Sequence, residues 1–308
     1  MRALVTGATG LLGSHIAAAL QPTDDVIGVD RHPWWGDRTL SLERVDLTEG
    51  AAMERILARV RPDVLFHCAA LVNVDACERS PEHAFAVNAE MPGRLARAAG
   101  PDCLVVFMAT DGVFRGDAAF STEETPPHPR TVYGTTKLQG EREVAAASPN
   151  HLILRTNFFG WSSGRKQTSA EWLYRGLEAQ QPITLFDDFH FTPIYVVDVV
   201  SAMLRLIDAG ARGLLHLTGG ERVSKYEFGM EMARQAGFAT ANVRRGSIDD
   251  AHLTASRPKD MSLSTARAAA ILGAPLPGFR DGIARFLADR ERSLSARTAT
   301  AARGSLRA

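Results

Sequence analysis

Residues 133–137 read Tyr-Gly-Thr-Thr-Lys, directly after the proline-rich TEETPPHPRTV and where the apolar periodicity of KLQGEREVAAA begins. A helix starting near Tyr133 would put the phenol and the Lys137 ammonium on one face, one turn apart. That spacing suits either an ordinary exposed helix start or a proton-transfer pair. A phenol with a pKa of about 10 is a poor acid-base group at neutral pH. A neighbouring ammonium stabilises its anion and lowers that value. A third group joins them, because VVFMATDGVF ends an apolar run with Thr110 and Asp111. A parallel sheet binds its ligands at the carboxyl ends of its strands, so Thr110 should emerge where such chemistry would occur.

A phosphate-holding turn is the second candidate. Gly7, Gly10 and Gly13 in VTGATGLLG sit between the first apolar strand and the first helix. Glycines there let the backbone turn tightly and approach a pyrophosphate, while the amides at the helix start hold its charge. The spacing is one residue longer in its first gap than the commoner dinucleotide fingerprint. A second apolar run, VIGVD, ends in Asp30, where a carboxylate can accept from ribose hydroxyls. The order strand, glycine turn, helix, strand, acid predicts dinucleotide binding. Arg31 can stack on adenine or pair with a 2′-phosphate, so the reading is NAD favoured slightly with NADP accepted. Asp46 in RVDLTEG reaches the adenine edge or serves as a turn aspartate. Trp34 and Trp35 flank adenine or cover an edge, His67 reads as a core residue, and Asn88 as a brace for the strand that carries Thr110.

Positioning these groups requires a particular frame. The first half alternates short apolar runs (RALVTG, VIGVD, DVLFHCAA, CLVVFMAT) with helix-length segments (SHIAAAL, AAMERILARV, AFAVNAEMPGRLARAA, KLQGEREVAAA). Strands apolar on both faces, alternating with amphipathic helices, predict a doubly wound α/β fold with a parallel Rossmann-type sheet. After HLILRTNFFG the rhythm loosens into a smaller C-terminal substrate region. The expected division is 1–157 plus about 192–217 for the dinucleotide-binding domain and 158–191 plus 218–292 for the substrate region. Residues 293–308, rich in arginine and small residues without acids, are expected to form a disordered tail.

Composition narrows the function classes. The 308 residues are 45% hydrophobic, with 35 Lys+Arg against 35 Asp+Glu and no basic stripe interleaved with aromatics, which argues against a nucleic-acid partner. No run of eighteen apolar residues or secretory core is present, so no membrane partner and a cytoplasmic location are expected. Cys68, Cys77 and Cys103 form no C-x-x-C pair and read as reduced thiols; no metal is expected.

The motifs TGATGLLG, Thr-Asp after a strand, and YGTTK, in this order, resemble the extended short-chain dehydrogenase/reductase family. Within it, HCAALVNVDACERSPEHAFAVNAEMPGRLA, ATDGVFRG, TPPHPRTVYGTTKLQGE, LRTNFFG and RPKDMSLSTARAAAILGAPLPGFRDGI look like the dTDP-4-dehydrorhamnose reductase branch, from Met1 to about Leu287. The resemblance implies Thr110, Tyr133 and Lys137 as catalytic residues, Lys137 also holding the nicotinamide ribose. It implies a cofactor site of Gly7, Thr9, Gly10, Leu11, Leu12, Gly13, Asp30, Arg31, Asp46, Leu47, Ala69 and Ala70, and substrate contacts from Asp111, Asn157 and Arg257. The implied activity is reduction of a nucleotide-linked 4-keto-deoxysugar, in a homodimer. Alternatives within the resemblance are a sugar-nucleotide epimerase and a non-catalytic regulatory subunit like that of methionine adenosyltransferase. The chain departs from the branch at Gly112, where a tyrosine is usual, at Arg115, where an aspartate is usual, and at Asn157-Phe158-Phe159, where a Trp-bearing segment is usual. All three face the substrate side, and Gly112 also speaks against a dehydratase.

Overall fold

Neighbouring residues along each central strand enter different cores. Ala3 and Val5 join one hydrophobic cluster and Leu4 the other; Leu104, Val106 and Met108 join the first, Val105 and Phe107 the second. A strand whose two faces are both buried reads as a continuous apolar run, as these do. The computed structural model describes residues 1–34, 40–162, 167–251 and 258–290. Trp35, Arg257 and the 293–308 tail lie outside them.

The strands are β1 (Arg2–Thr6), β2 (Asp25–Asp30), β3 (Ser41–Arg44), β4 (Val64–His67), β5 (Leu104–Thr110), β6 (His151–Thr156) and an outer strand, Gly213–His216. They form one seven-stranded sheet in the order outer strand, β6, β5, β4, β1, β2, β3, and every pairing is parallel. Helix α1 (Leu11–Leu20) and the later helix Val196–Asp208 share the first core. Helices Gly50–Val60, Met91–Ala99 and Val132–Ala147 supply residues to the second. The fold is the expected doubly wound, Rossmann-type sheet. Its strand order reverses between β1 and β4, so the crevice at their carboxyl ends is where such a sheet takes ligands.

Beyond β6 the chain builds short pairs: Phe158–Phe159 with Ile194–Tyr195, His190–Phe191 with Val223–Ser224, and Ile183–Phe186 with Val243–Gly246. Helices Ser169–Glu178 and Lys225–Ala236 each start with a full capping box. Aromatic rings hold this part together, with Trp161 stacked on Phe286 at 4.2 Å and Phe159 packed against Tyr195, Phe228 and Phe286. No helix among the described residues is long and apolar enough to cross a membrane.

One expected helix is interrupted. AFAVNAEMPGRLARAA divides into the end of Pro81–Phe85, a π-helical turn over Ala86–Glu90, and Met91–Ala99. Pro92 has no N–H to donate to the Asn88 carbonyl four residues back, which removes one rung of the α-helical ladder.

Candidate active site

The glycine turn is dictated by close backbone contact. Gly7 has φ +66°, and a Cβ there would lie 2.8 Å from the Ala69 amide nitrogen; a Cβ on Gly13 would sit well inside 3.0 Å of the Gly7 carbonyl. The turn is thus wedged between α1 and the segment after β4. Gly10 is the N-cap of α1 with no side-chain cap, so no side chain caps the opening amides of Leu11, Leu12 and Gly13. Thr9 donates to Asp30 from its amide at 3.1 Å and its hydroxyl at 2.8 Å, and the His32 amide donates to the other carboxylate oxygen at 3.0 Å. Asp30, only 9% exposed, therefore braces the glycine turn rather than standing free at the rim.

Arg31 lies mostly in solvent, 3.8 Å from Asp46, with its Nε 3.1 Å from His32 Nε2. Asp46 accepts from the Thr48 amide at 3.0 Å and hydroxyl at 2.7 Å, which is the turn role, and those bonds hold its carboxyl below the usual range. Leu47 is buried in the second core, whereas Ala69 and Ala70 are half-buried just past β4. Trp34 packs on the first core.

Thr110 closes β5 and is the N-cap of a short turn, Asp111–Val113, accepting from the Gly112 amide at 3.1 Å. Tyr133 is the second residue of helix Val132–Ala147, whose N-cap Thr131 accepts from the Gly134 amide at 3.0 Å. Gly134 brings helix and turn together, because a Cβ there would lie far inside 3.0 Å of the Gly112 carbonyl. The phenol consequently meets the Thr110 side chain. Burial pushes Tyr133 above its ordinary pKa, the hydrogen bond with Thr110 works the other way, and the Asp111 charge adds to the rise.

Lys137 packs on an aromatic ring of β5. Its ammonium, on a residue 2% exposed, lies 4.1 Å from the centre of the Phe107 ring. Burial pulls it down to about 8, against the charge of Glu141. Glu141 is itself bound by Arg155 at 2.7 and 2.9 Å. The hydrogen bond that favours the phenolate here comes from Thr110.

On the far side of Thr110 lies a second polar set. Asp111 is 4% exposed, accepts from the Thr110 hydroxyl at 3.1 Å and is hydrogen-bonded by the Asn157 amide group. Burial pushes its carboxyl up to about 6, opposed by Asn157, Thr110 and the charge of Lys225. Lys225 was not singled out by its sequence. A lysine at the first position of a helix, where the macrodipole disfavours cations, was the available signal.

Neighbouring residues keep the frame. The Asn88 side chain accepts from the Leu71 amide at 2.8 Å and donates to the Leu71 carbonyl at 3.1 Å and Thr136 Oγ1 at 3.2 Å. It braces the loop after β4 and the Tyr133 helix, not β5 itself. His67 is fully buried, bonded through Nδ1 to Thr6 Oγ1 at 2.7 Å and stacked on Phe107. Burial holds it neutral, with a pKa pushed down to about 3. All three cysteines are free, and burial pushes Cys68 up to about 12 and Cys77 and Cys103 to about 11.

The chain is similar to known proteins over nearly its whole length. The dTDP-4-dehydrorhamnose reductase of Mycobacterium tuberculosis is 32% identical over 96% of this chain and 95% of its own. The beta subunit of methionine adenosyltransferase 2 from Xenopus tropicalis is 29% identical over 94% and 89%. The crystal structure of dTDP-4-dehydrorhamnose reductase from Bacillus anthracis in complex with NADP superimposes with a TM-score of 0.84 at 25% identity, covering 94% of this chain and 99% of that one. The profile of the RmlD substrate binding domain family matches residues 1–292, and the chain therefore belongs to that family, within the extended short-chain dehydrogenases/reductases.

Proposed function

We propose that the protein is an NAD(P)H-dependent reductase of a nucleotide-linked 4-keto-deoxysugar. The observation that carries this reading is the meeting of Thr110 and Tyr133 at the carboxyl end of β5, with Lys137 one turn on, in the same crevice as the glycine turn. The turn fits a dinucleotide: any Cβ on Gly7 or Gly13 would strike backbone, and α1 opens with amides that no side chain caps. Gly7, Thr9, Gly10, Leu11, Leu12 and Gly13 would hold the pyrophosphate, Asp30 and Arg31 the adenosine side, and Lys137 the nicotinamide ribose. When bound, reduced nicotinamide supplies the hydride for the C4 carbonyl.

Tyr133 would give that oxygen its proton, and Thr110, turning its hydroxyl proton from Asp111 to the substrate, would donate a hydrogen bond to it as charge builds. Burial makes the phenol a weaker acid, and the hydrogen bond with Thr110, which stabilises the phenolate, is what favours release of its proton. Asp111, Asn157 and Arg257 would hold the sugar nucleotide. In this reading residues 1–157 with about 192–217 carry the cofactor, and 158–191 with 218–292 carry the substrate. Arg31 beside His32, both at the rim, favours acceptance of NADPH, and the Bacillus anthracis relative was crystallised with NADP.

The kinship with the adenosyltransferase subunit supports a second reading, a nucleotide-binding regulator; the retained Thr110, Tyr133 and Lys137 favour the enzyme. NADH and NADPH oxidation should be followed against a panel of nucleotide-linked 4-keto sugars. Substrate-dependent loss of reduced nicotinamide is expected. Binding of nucleotide without turnover of any sugar would favour the regulator, and purification with tightly held NAD and no net oxidation would favour an epimerase.

A further inference from the structure

Lys225 breaks a local rule. It opens helix Lys225–Ala236 directly after the Ser224 cap, where the helix dipole repels a cation. Its side chain is half-buried and its ammonium lies 3.5 Å from the centre of the Phe191 ring and 5.3 Å from that of Phe189. Among the described residues, no hydrogen bond or ion pair takes up its three donors. A half-buried ammonium with unfilled donors is costly, and native structures keep such groups where a ligand or water completes them.

The segment that carries its aromatic seat reaches the Thr110–Asp111 turn: the Met261 amide donates to the His190 carbonyl at 2.8 Å, and Met261 Cε would lie 3.8 Å from a Cβ on Gly112, so the carboxylate of Asp111 is the charge within electrostatic reach of Lys225. The pair attracts without touching: Asp111 receives its hydrogen bonds from Thr110 and Asn157 instead. The Phe189–Phe191 segment fixes Lys225 from below, through the strand pairing of His190–Phe191 with Val223–Ser224 and a 3.0 Å bond from the Lys225 amide to the Phe189 carbonyl. An acceptor and a donor, held apart by two separate elements beside the reacting groups, match a hydroxyl that can donate to one and accept from the other.

We infer that Lys225 is a substrate-binding residue that, together with Asp111, grips the hydroxyl on the carbon next to the sugar carbonyl and so selects hydroxylated sugars over deoxygenated ones at that position. This rests on the sugar-nucleotide reading above. Selection of this kind is strong, because a sugar lacking the hydroxyl leaves the Lys225 ammonium without the acceptor its donors need. The groups that bear on Asp111 are Thr110, Asn157, the Gly112 amide and Lys225, and Asp111 in turn bears on Tyr133. Among them only Lys225 is cationic. Its removal therefore raises the Asp111 pKa above the present value of about 6.

Titration calorimetry with dTDP-glucose, which carries the hydroxyls but no carbonyl to reduce, reads binding without turnover. Lys225→Met should bind it roughly tenfold or more weakly than wild type, as expected for loss of a hydrogen bond from a charged donor. Lys225→Arg, which keeps the charge, should recover part of that loss. Wild type should prefer the ligand over its 3-deoxy analogue, and Lys225→Met should have lost that preference. With a dTDP-linked 4-keto-6-deoxyhexose as substrate, Lys225→Met should raise KM far more than it lowers kcat and move the acid limb of the kcat/KM profile up by roughly one pH unit. Equal dTDP-glucose affinity in wild type and Lys225→Met, with circular dichroism unchanged, would overturn the assignment. Should wild type bind dTDP-glucose in a Lys225-dependent way yet reduce no keto sugar, the reductase reading falls while this one stands.

Discussion

Gly134→Ala tests the geometry at its tightest point. The added Cβ would lie far inside 3.0 Å of the Gly112 carbonyl and 3.0 Å from Pro129 Cβ, whereas ordinary contact begins at 3.4 Å. Neither neighbour is the free end of a flexible chain. The start of helix Val132–Ala147 must therefore retreat by roughly 1 Å, and a misplacement of that size costs on the order of 100-fold in rate when it moves a catalytic group. Stability should fall by about 1–3 kcal/mol from overpacking, since Gly134 sits in the first turn where alanine's helix preference offsets little of it, and the enzyme should still fold. Tyr133 and Thr110 would separate, whereas the glycine turn, on other elements, would keep its shape. NADPH oxidation with a competent keto sugar should thus fall about 100-fold in kcat, with a modestly lowered melting temperature and far less change in cofactor affinity by calorimetry. Gly112→Ala is the control: its Cβ would stand 3.4 Å from Thr110 Oγ1 and 3.8 Å from Met261 Cε, which is ordinary contact, so its loss should be much smaller. A folded Gly134→Ala enzyme with wild-type kcat would refute the argument that this close approach sets the Tyr133–Thr110 contact.

Tyr133→Phe should lower kcat by about 10²–10⁴ with little effect on melting temperature or cofactor affinity; wild-type turnover of a keto sugar would remove the phenol from the mechanism. Because Tyr133 is held above its ordinary pKa while Lys137 is held down to about 8, the alkaline loss of activity should set in as Lys137 sheds its proton near that pH, and Lys137→Arg should move that limb upward. Gly10→Val should abolish cofactor binding with an unchanged far-ultraviolet spectrum, since a Cβ there already stands 3.1 Å from the Gly7 carbonyl and the branch would fill the phosphate space. Arg31→Ala should lower the NADPH to NADH efficiency ratio, while Asp30→Ala should weaken both cofactors because it frees Thr9 and the His32 amide as well as relieving repulsion; a clean switch towards NADPH with undiminished affinity would contradict the bracing role.

The sheet was legible because burial of both strand faces leaves a mark on every apolar run, and the glycine triplet because backbone contact excludes any other residue. YGTTK was legible as a motif but not as an interaction. Helical spacing put Tyr133 and Lys137 on one face, but the ring on which the ammonium rests comes from Phe107 in β5, and no local pattern announces a ring thirty residues earlier. Asp30 stands where the apolar run ends, as expected, but within the fold its carboxylate also accepts from Thr9 of the glycine turn, a contact no local pattern announces. Asn88 was read as a brace, and its true partners, Leu71 and Thr136, lie on segments that only tertiary packing brings near. Lys225 was missed for the same reason: its meaning depends on Asp111, more than a hundred positions away.

The outer strand Gly213–His216 pairs with β6, and helix Val196–Asp208 packs on α1, the helix that opens at the glycine turn. In a chain made from its N-terminus, the outer strand is the last strand of the seven-stranded sheet to arrive. Until it and helix Val196–Asp208 leave the ribosome, β6 is an unpaired edge and the face of α1 is uncovered, a state prone to joining other chains. Cofactor affinity should thus be acquired late in synthesis, after about residue 216, and nascent chains released earlier should depend on chaperones to stay monomeric.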